Sequence, residues 1–194
     1  VQAILMDLGV SSMQIDSADR GFAYSFDAPL DMRMDAGAGQ TAADLIASAS
    51  EPELTRIFRE YGEERFAAKI AAELVSIRKA TPISSSKQLA SIISDLVPFI
   101  PGKSSGHPAK RVFQALRIAV NEELEILESA VPAAIDALAV GGRLLVLSYH
   151  SLEDRIVKQA LVAASTSSAP VELPFELPEH LSLIHISEPT RQAE

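Results

Sequence analysis

The chain contains no cysteine. That absence excludes disulfides, thiolate nucleophiles and Cys-ligated zinc, and it is compatible with a reducing compartment. No apolar run approaches the roughly 20 residues needed to cross a bilayer. No signal-peptide pattern opens the sequence, which begins directly with a run typical of a core strand. The histidines at 107, 150, 180 and 185 show no metal-ligand spacing. No G-x-S-x-G element is present, so a serine hydrolase built on Ser11 or Ser12 with His150 and Asp154 lacks its strained strand-to-helix turn. These absences lead to the expectation of a soluble, cytoplasmic protein without a membrane partner.

What is present fits an ordinary packed core: 47% of residues are apolar and 22% charged over 194 positions. That length suits one full domain, or a domain with a smaller companion. The net charge of −9 argues at first against a nucleic-acid partner. Acids are nevertheless scarce from Leu74 to Asn121, where Asp95 is the only one among seven Lys or Arg. A local basic face can sit on an acidic protein, because phosphate binding follows local charge rather than the total. A solvated helical surface that happens to lack acids is the other reading of the same stretch.

Ala3-Ile4-Leu5-Met6 followed by Asp7-Leu8-Gly9 reads as a buried parallel strand and a turn. A fully buried strand needs neighbours on both sides, so a further N-terminal part is expected upstream of Val1. From Val10 to Gly39 no period is sustained, and such a long loop in a compact domain is usually functional. Ser50-Glu51-Pro52-Glu53 has the form of a capping box with Pro in the first turn, opening a helix that should end near Gly62. Phe66, Ile70, Leu74 and Ile77 form a helical stripe, and Leu89, Ile92, Ile93 and Leu96 form another after the Thr81-Pro82 break. A long helix is expected from about Pro108 to Glu128, with a short one starting at Pro132. Leu144 to Leu147 reads as a second buried strand, and Ser151-Leu152-Glu153-Asp154 as the cap of the next helix. The pattern predicts a fragment of a doubly wound α/β sheet interrupted by an all-helical insertion. The expected boundaries are residues 1–39 and 104–164 for the sheet-bearing core and 40–103 for the insertion. Residues 165–194, punctuated by Pro170, Pro174, Pro178 and Pro189 with little apolar periodicity, read as a disordered or foreign tail, and Leu181 to Glu194 matches nothing before it in style.

Ligands of open α/β sheets bind beyond the carboxyl ends of the strands. If the two strands are neighbours, Asp7, Ser11, Ser12, Tyr149 and His150 converge on one cleft. Taken alone, Asp7 is also a natural turn former, and His150 a natural hydrogen-bonded structural histidine. Leu138 to Leu144, a helix end with a Gly141-Gly142 turn before a late strand, resembles the corresponding stretch of class I methyltransferases; a plain helix C-cap gives the same pattern.

Several longer motifs occur in one order: Asp7-Leu8-Gly9-Val10-Ser11-Ser12, Asp19-Arg20-Gly21-Phe22, Pro29-Leu30-Asp31-Met32-Arg33-Met34-Asp35 and Tyr61-Gly62-Glu63-Glu64-Arg65-Phe66. His107-Pro108-Ala109, Arg111 to Ile118, Val120 to Leu124 and Ser148 to Arg155 follow. Over about residues 1 to 162 this series closely resembles the bacterial 16S rRNA (cytosine-N4) methyltransferase family, also called RsmH or MraW. The resemblance implies a class I, Rossmann-like methyltransferase sheet with an inserted helical domain. It also implies S-adenosylmethionine as cofactor and N4 of a decoding-region cytidine of 16S rRNA, in the small ribosomal subunit, as target. Carried over by motif, Asp7 and Gln14 are cofactor-contacting positions. Leu8, Gly9, Ser11, Ser12 and His150 border the target amine, and residues 40–103 help position RNA. The sequence departs from the family pattern at Gln2, where Asp is usual. The family's glycine-rich cofactor loop lies upstream of Val1, so the resemblance describes an N-terminally truncated member. Lys103, Lys110, Arg111 and Arg117 are the phosphate-contact candidates; Arg117 has an internal alternative, pairing with Glu122 or Asp31. A non-catalytic RNA-binding module, an inactive enzyme fragment and a homodimer stay open.

Overall fold

The computed structural model describes residues 1–11, 20–25, 27–97 and 107–166. Ser12, Gln14 and Lys103 lie outside the described residues, as does the expected tail from residue 167 onward. Two compact units are present, one made of Val1–Gly9 with Leu124–Glu194 and the other of Val10–Glu123. The described residues form a mixed α/β protein with two strands and seven helices. None of those helices is long and apolar enough to cross a membrane.

The unit from Val10 to Glu123 carries five helices: α1 (Ala42–Ser48), α2 (Glu51–Glu60), α3 (Ala67–Ile77), α4 (Ser86–Leu96) and α5 (Lys110–Asn121). Their starts are set by local chemistry. Thr41 and Asp44 form a reciprocal capping box on α1, Ser50 Oγ accepts the Glu53 N–H on α2, and Ser85 Oγ accepts the Gln88 N–H on α4. Each such cap contributes about 1 kcal/mol. The apolar stripes then meet in one core, where Phe58, Ile70, Leu74, Leu89, Ile93, Val112 and Leu116 are almost fully buried.

Leu30 and Met32 are buried in that same core. The loop carrying them is stitched to the start of α4 by a Pro29–Ser85 bridge and by the Leu30 N–H bond to the Ser84 carbonyl. It is also held at the end of α5. Asn121 donates to the Met32 carbonyl at 2.8 Å and accepts the Met34 N–H at 2.6 Å, while Met32 sits in the left-handed region at φ 62°. Residues 20–25 and 27–39 and helix α5 pack with the helical unit, because Leu30, Met32, Val112 and Leu116 share its core. An Asn121→Ala variant should lose about 1–3 kcal/mol in denaturant unfolding, since it strands two backbone groups that now have partners. Asn121→Asp, which keeps the acceptor and loses the donor, should fall between.

The single long helix expected from Pro108 to Glu128 is instead two. Glu122 adopts φ 50°, and α6 (Glu123–Asp136) begins immediately after it. Apolar periodicity runs through the break, so it could not reveal a left-handed residue held by neighbouring contacts. Pro132 lies inside α6 rather than at the start of a separate helix.

In the other unit, β1 (Ala3–Asp7) and β2 (Arg143–Leu147) pair in parallel, Ala3 opposite Arg143 and Asp7 opposite Leu147. Met6, Leu8, Leu144 and Val146 pack with Leu127, Val131 and Ile135 of α6 and with Ile156, Val157 and Leu161 of α7 (Ser151–Ser165). The parallel pairing is as expected, but burial on both faces is not. Leu5, Leu145 and Leu147 on the opposite face are 66%, 53% and 47% exposed, because both helices lie against one side only.

Candidate active site at the strand ends

Parallel pairing brings the carboxyl ends of β1 and β2 to the same edge, and the ladder continues one step through the Leu8 N–H bond to the Leu147 carbonyl at 3.1 Å. Both polar tips therefore stand side by side. Tyr149, exposed on the second tip, donates its hydroxyl to Asp7 Oδ1 on the first at 2.9 Å. The Asp7 hydrogen bond, reinforced by its negative charge, pushes the Tyr149 phenol above its ordinary range. The Asp-Leu-Gly turn needs glycine at its end, since Gly9 adopts φ 84°. A Cβ there would meet nothing closer than Glu153 Oε1 at 3.9 Å, so backbone conformation rather than space sets the requirement.

Glu153 organises the second tip from below. It is 3% exposed, and its Oε2 accepts the Tyr149 N–H at 2.9 Å and the His150 N–H at 3.3 Å. Its Oε1 lies 3.2 Å from His150 Nε2, close enough for an ion pair but without hydrogen-bond alignment, so that buried nitrogen has no hydrogen-bond partner. Burial pushes the Glu153 carboxyl up, but the His150 imidazole and the two backbone N–H groups outweigh it and hold the group below the usual carboxylate range. His150 is the N-cap of α7, with Nδ1 facing the Glu153 N–H at 3.5 Å, so the helix starts one residue earlier than the Ser151 cap expected. The structural reading of His150 is thus present in full, beside its place at the strand end.

Asp7, Leu8, Gly9, Tyr149 and His150 are brought together in this unit, with the Leu8 side chain packed into its core. Ser11 is exposed and belongs to the helical unit. On that unit Lys110 is exposed, and Arg111 donates to the Glu63 carbonyl at 2.9 Å. Arg117 is committed elsewhere: its Nε and Nη2 grip the Glu123 carboxylate at 2.8 and 3.0 Å, both side chains largely buried. Its partner is neither Glu122 nor Asp31, which holds Arg33 instead. The left-handed Glu122 turns the chain so that the next residue meets Arg117. Asp154 pairs with Lys158 at 2.8 Å, one helical turn on, rather than with His150.

Glu153 was read from sequence only as an acid suited to the first turn of a helix. The signal that identifies it is the His150-x-x-Glu153 spacing of a capping box, with histidine in place of the usual Ser or Thr.

Comparison with known proteins agrees with the motif series. The chain is 60% identical over 180 residues to "Ribosomal RNA small subunit methyltransferase H" of Pseudarthrobacter chlorophenolicus, covering 93% of this chain and 54% of that protein. It is 62% identical over 174 residues to the protein of the same name from Beutenbergia cavernae, covering 90% and 52%. The Saccharopolyspora erythraea protein of that name is 59% identical over 180 residues, covering 93% and 54%. The chain thus spans about half the length of the curated relatives it matches. The profile of the MraW methylase family matches residues 1–190, and the chain belongs to that family.

Proposed function

We propose that the chain is part of an S-adenosylmethionine-dependent methyltransferase acting on N4 of a cytidine in the decoding region of 16S rRNA, in the small ribosomal subunit of the cytoplasm. In this reading β1 and β2 belong to a Rossmann-like sheet that carries the helical unit as an insertion. The observation that supports it most is the pairing of Asp7 with Tyr149 across two parallel strand ends, in a chain matched by the methylase profile over nearly its whole length.

The residues at the tip suit such a cofactor. The Tyr149 phenol occupies one lone pair of the Asp7 carboxylate, which leaves acceptor capacity for a hydroxyl or ammonium donor. Asp7 and Gln14 are the positions that would hold the cofactor. When bound, it supplies an electrophilic methyl group on a sulfonium.

The exocyclic amine of cytosine is a poor nucleophile, because its lone pair is delocalised into the ring. The carbonyls of Leu8 and Gly9 accept its hydrogens and favour a tetrahedral nitrogen; Ser11 and Ser12 follow in the sequence as the candidate hydroxyls. His150, at the same strand end, borders the amine. Alignment of the amine and fixed dipoles around it supply most of the acceleration. The base must leave its stack to enter, so single-stranded or distorted RNA is the preferred substrate form.

Tritiated-methyl transfer from S-adenosylmethionine to 16S rRNA tests the reading, with this chain and with the full-length Pseudarthrobacter relative altered at the position that aligns with Asp7. Asp7→Ala should weaken cofactor binding about 10- to 100-fold, the usual worth of a hydrogen bond to a charged group. Unchanged transfer by the altered relative would remove Asp7 from the site.

A further inference from the structure

The helical unit carries an aromatic pair of its own. Tyr24 and His107, far apart in sequence, stack with ring centroids 4.5 Å apart and planes 15° from parallel. The half-buried Tyr24 ring is backed by buried Phe113, edge-on at 5.8 Å and 84°. His107 is exposed, and its Nδ1 accepts the Ala109 N–H at 3.1 Å, which fixes the ring in the stacked position. Its carbonyl accepts the Lys110 N–H at 3.0 Å, so an exposed ammonium side chain follows the ring within one turn. Arg111 is exposed next to it, held at the Glu63 carbonyl. No acid occurs in the sequence between Asp95 and Glu122.

A flat ring fixed on a rigid base, bordered by cations and lacking acids on its own segment, has the chemistry that receives an unpaired nucleobase. Bases stack on histidine and tyrosine faces, and adjacent Lys and Arg take the phosphates. A fixed ring also spends little conformational entropy on binding.

We propose that the Tyr24–His107 stack is a platform for one unpaired base of an RNA strand, with Lys110 and Arg111 contacting the flanking phosphates. The inference rests on RNA being the partner, as in the function proposed above, and adds a base contact on the helical unit.

The test uses the full chain and a fluorescent single-stranded RNA, titrated at several salt concentrations. His107→Ala should weaken binding about tenfold or more, in line with the loss of one stacked base. His107→Tyr, which keeps a ring, should restore most of it. Lys110→Ala should reduce the salt slope by about one unit. With the unaltered chain, RNA bearing scattered abasic sites should bind more weakly than the intact strand, a comparison that depends on no variant folding. Equal binding of abasic and intact RNA, or equal binding by His107→Ala with its thermal melt unchanged, overturns the platform while leaving RNA as the partner. Failure of the unaltered chain to bind RNA at low salt overturns the partner and the platform together.

Discussion

Replacing Glu153 with alanine should destabilise the strand-bearing unit by about 2–4 kcal/mol, because the change strands several buried polar groups at once. The N–H groups of Tyr149 and His150 lose their acceptor, and the His150 imidazole loses its charged neighbour. Glu153→Gln keeps the shape and one acceptor oxygen, so its cost should be smaller, about 1 kcal/mol. The two variants should separate further with pH. The Glu153 carboxyl is held below its ordinary range in the folded protein. Its contribution is therefore present above the unfolded-state value, in the ordinary carboxylate range, and lost as pH falls through the lower folded value. Denaturant unfolding between pH 3 and pH 7 should show the unaltered chain losing stability toward the acid end. Glu153→Gln should flatten that part of the profile. A second readout follows from Tyr149, whose phenol is raised by Asp7. If Glu153 positions the tip, the Tyr149 titration should move back toward its ordinary range in Glu153→Ala, and Tyr149→Phe would assign the signal. A tyrosine titration unaffected by Glu153→Ala would show that the two tips hold together without it.

Gly21→Ala should be at least as damaging, about 3–5 kcal/mol, and should act on the helical unit. Gly21 adopts φ 70°, a region that costs an L-residue roughly 1–2 kcal/mol. Space is the larger obstacle. A Cβ at Gly21 would lie 2.2 Å from the Pro29 carbonyl oxygen and 3.1 Å from the Asp31 N. Both contacts are backbone, so relief requires moving the segment that inserts Leu30 and Met32 into the core. That segment is pinned on two sides, by the Met32 N–H bond to the Arg20 carbonyl and by Asn121. Overpacking a well-filled site of this kind typically costs a further 1–3 kcal/mol or more. Circular dichroism melts should show a large downward shift for Gly21→Ala. Gly39→Ala serves as the control: that glycine also has positive φ, but nothing lies within 4 Å of its Cβ position, so only the conformational part of the cost should remain.

Much of the helical unit was legible because its information is local. Ser50 caps a helix as its capping pattern indicated, and the apolar stripes at Ile70 to Ile77 and Leu89 to Leu96 face the core. The Glu122 bend was not legible, since a periodic apolar pattern is blind to one left-handed residue. Nor was the fate of Arg117, whose side chain had several acids within reach along the sequence and meets Glu123 only because of that bend. The Asp19-Arg20-Gly21-Phe22 and Pro29-to-Asp35 motifs stood out as motifs, but their connection did not. Gly21 faces Pro29 across a turn whose closure depends on residues from α4 and α5.

Sequence by itself determined the family, the two strands and the polar residues that follow them, because motif order, apolar runs and turn residues are written along the chain. Only the tertiary structure decided which side chains serve each other: Tyr149 with Asp7, Glu153 beneath both tip amides, Arg117 with Glu123, and Tyr24 with His107. The physical reason is that hydrogen bonds, ion pairs and ring contacts form over a few ångströms, so partners far apart or ambiguous in sequence are chosen by the backbone path between them.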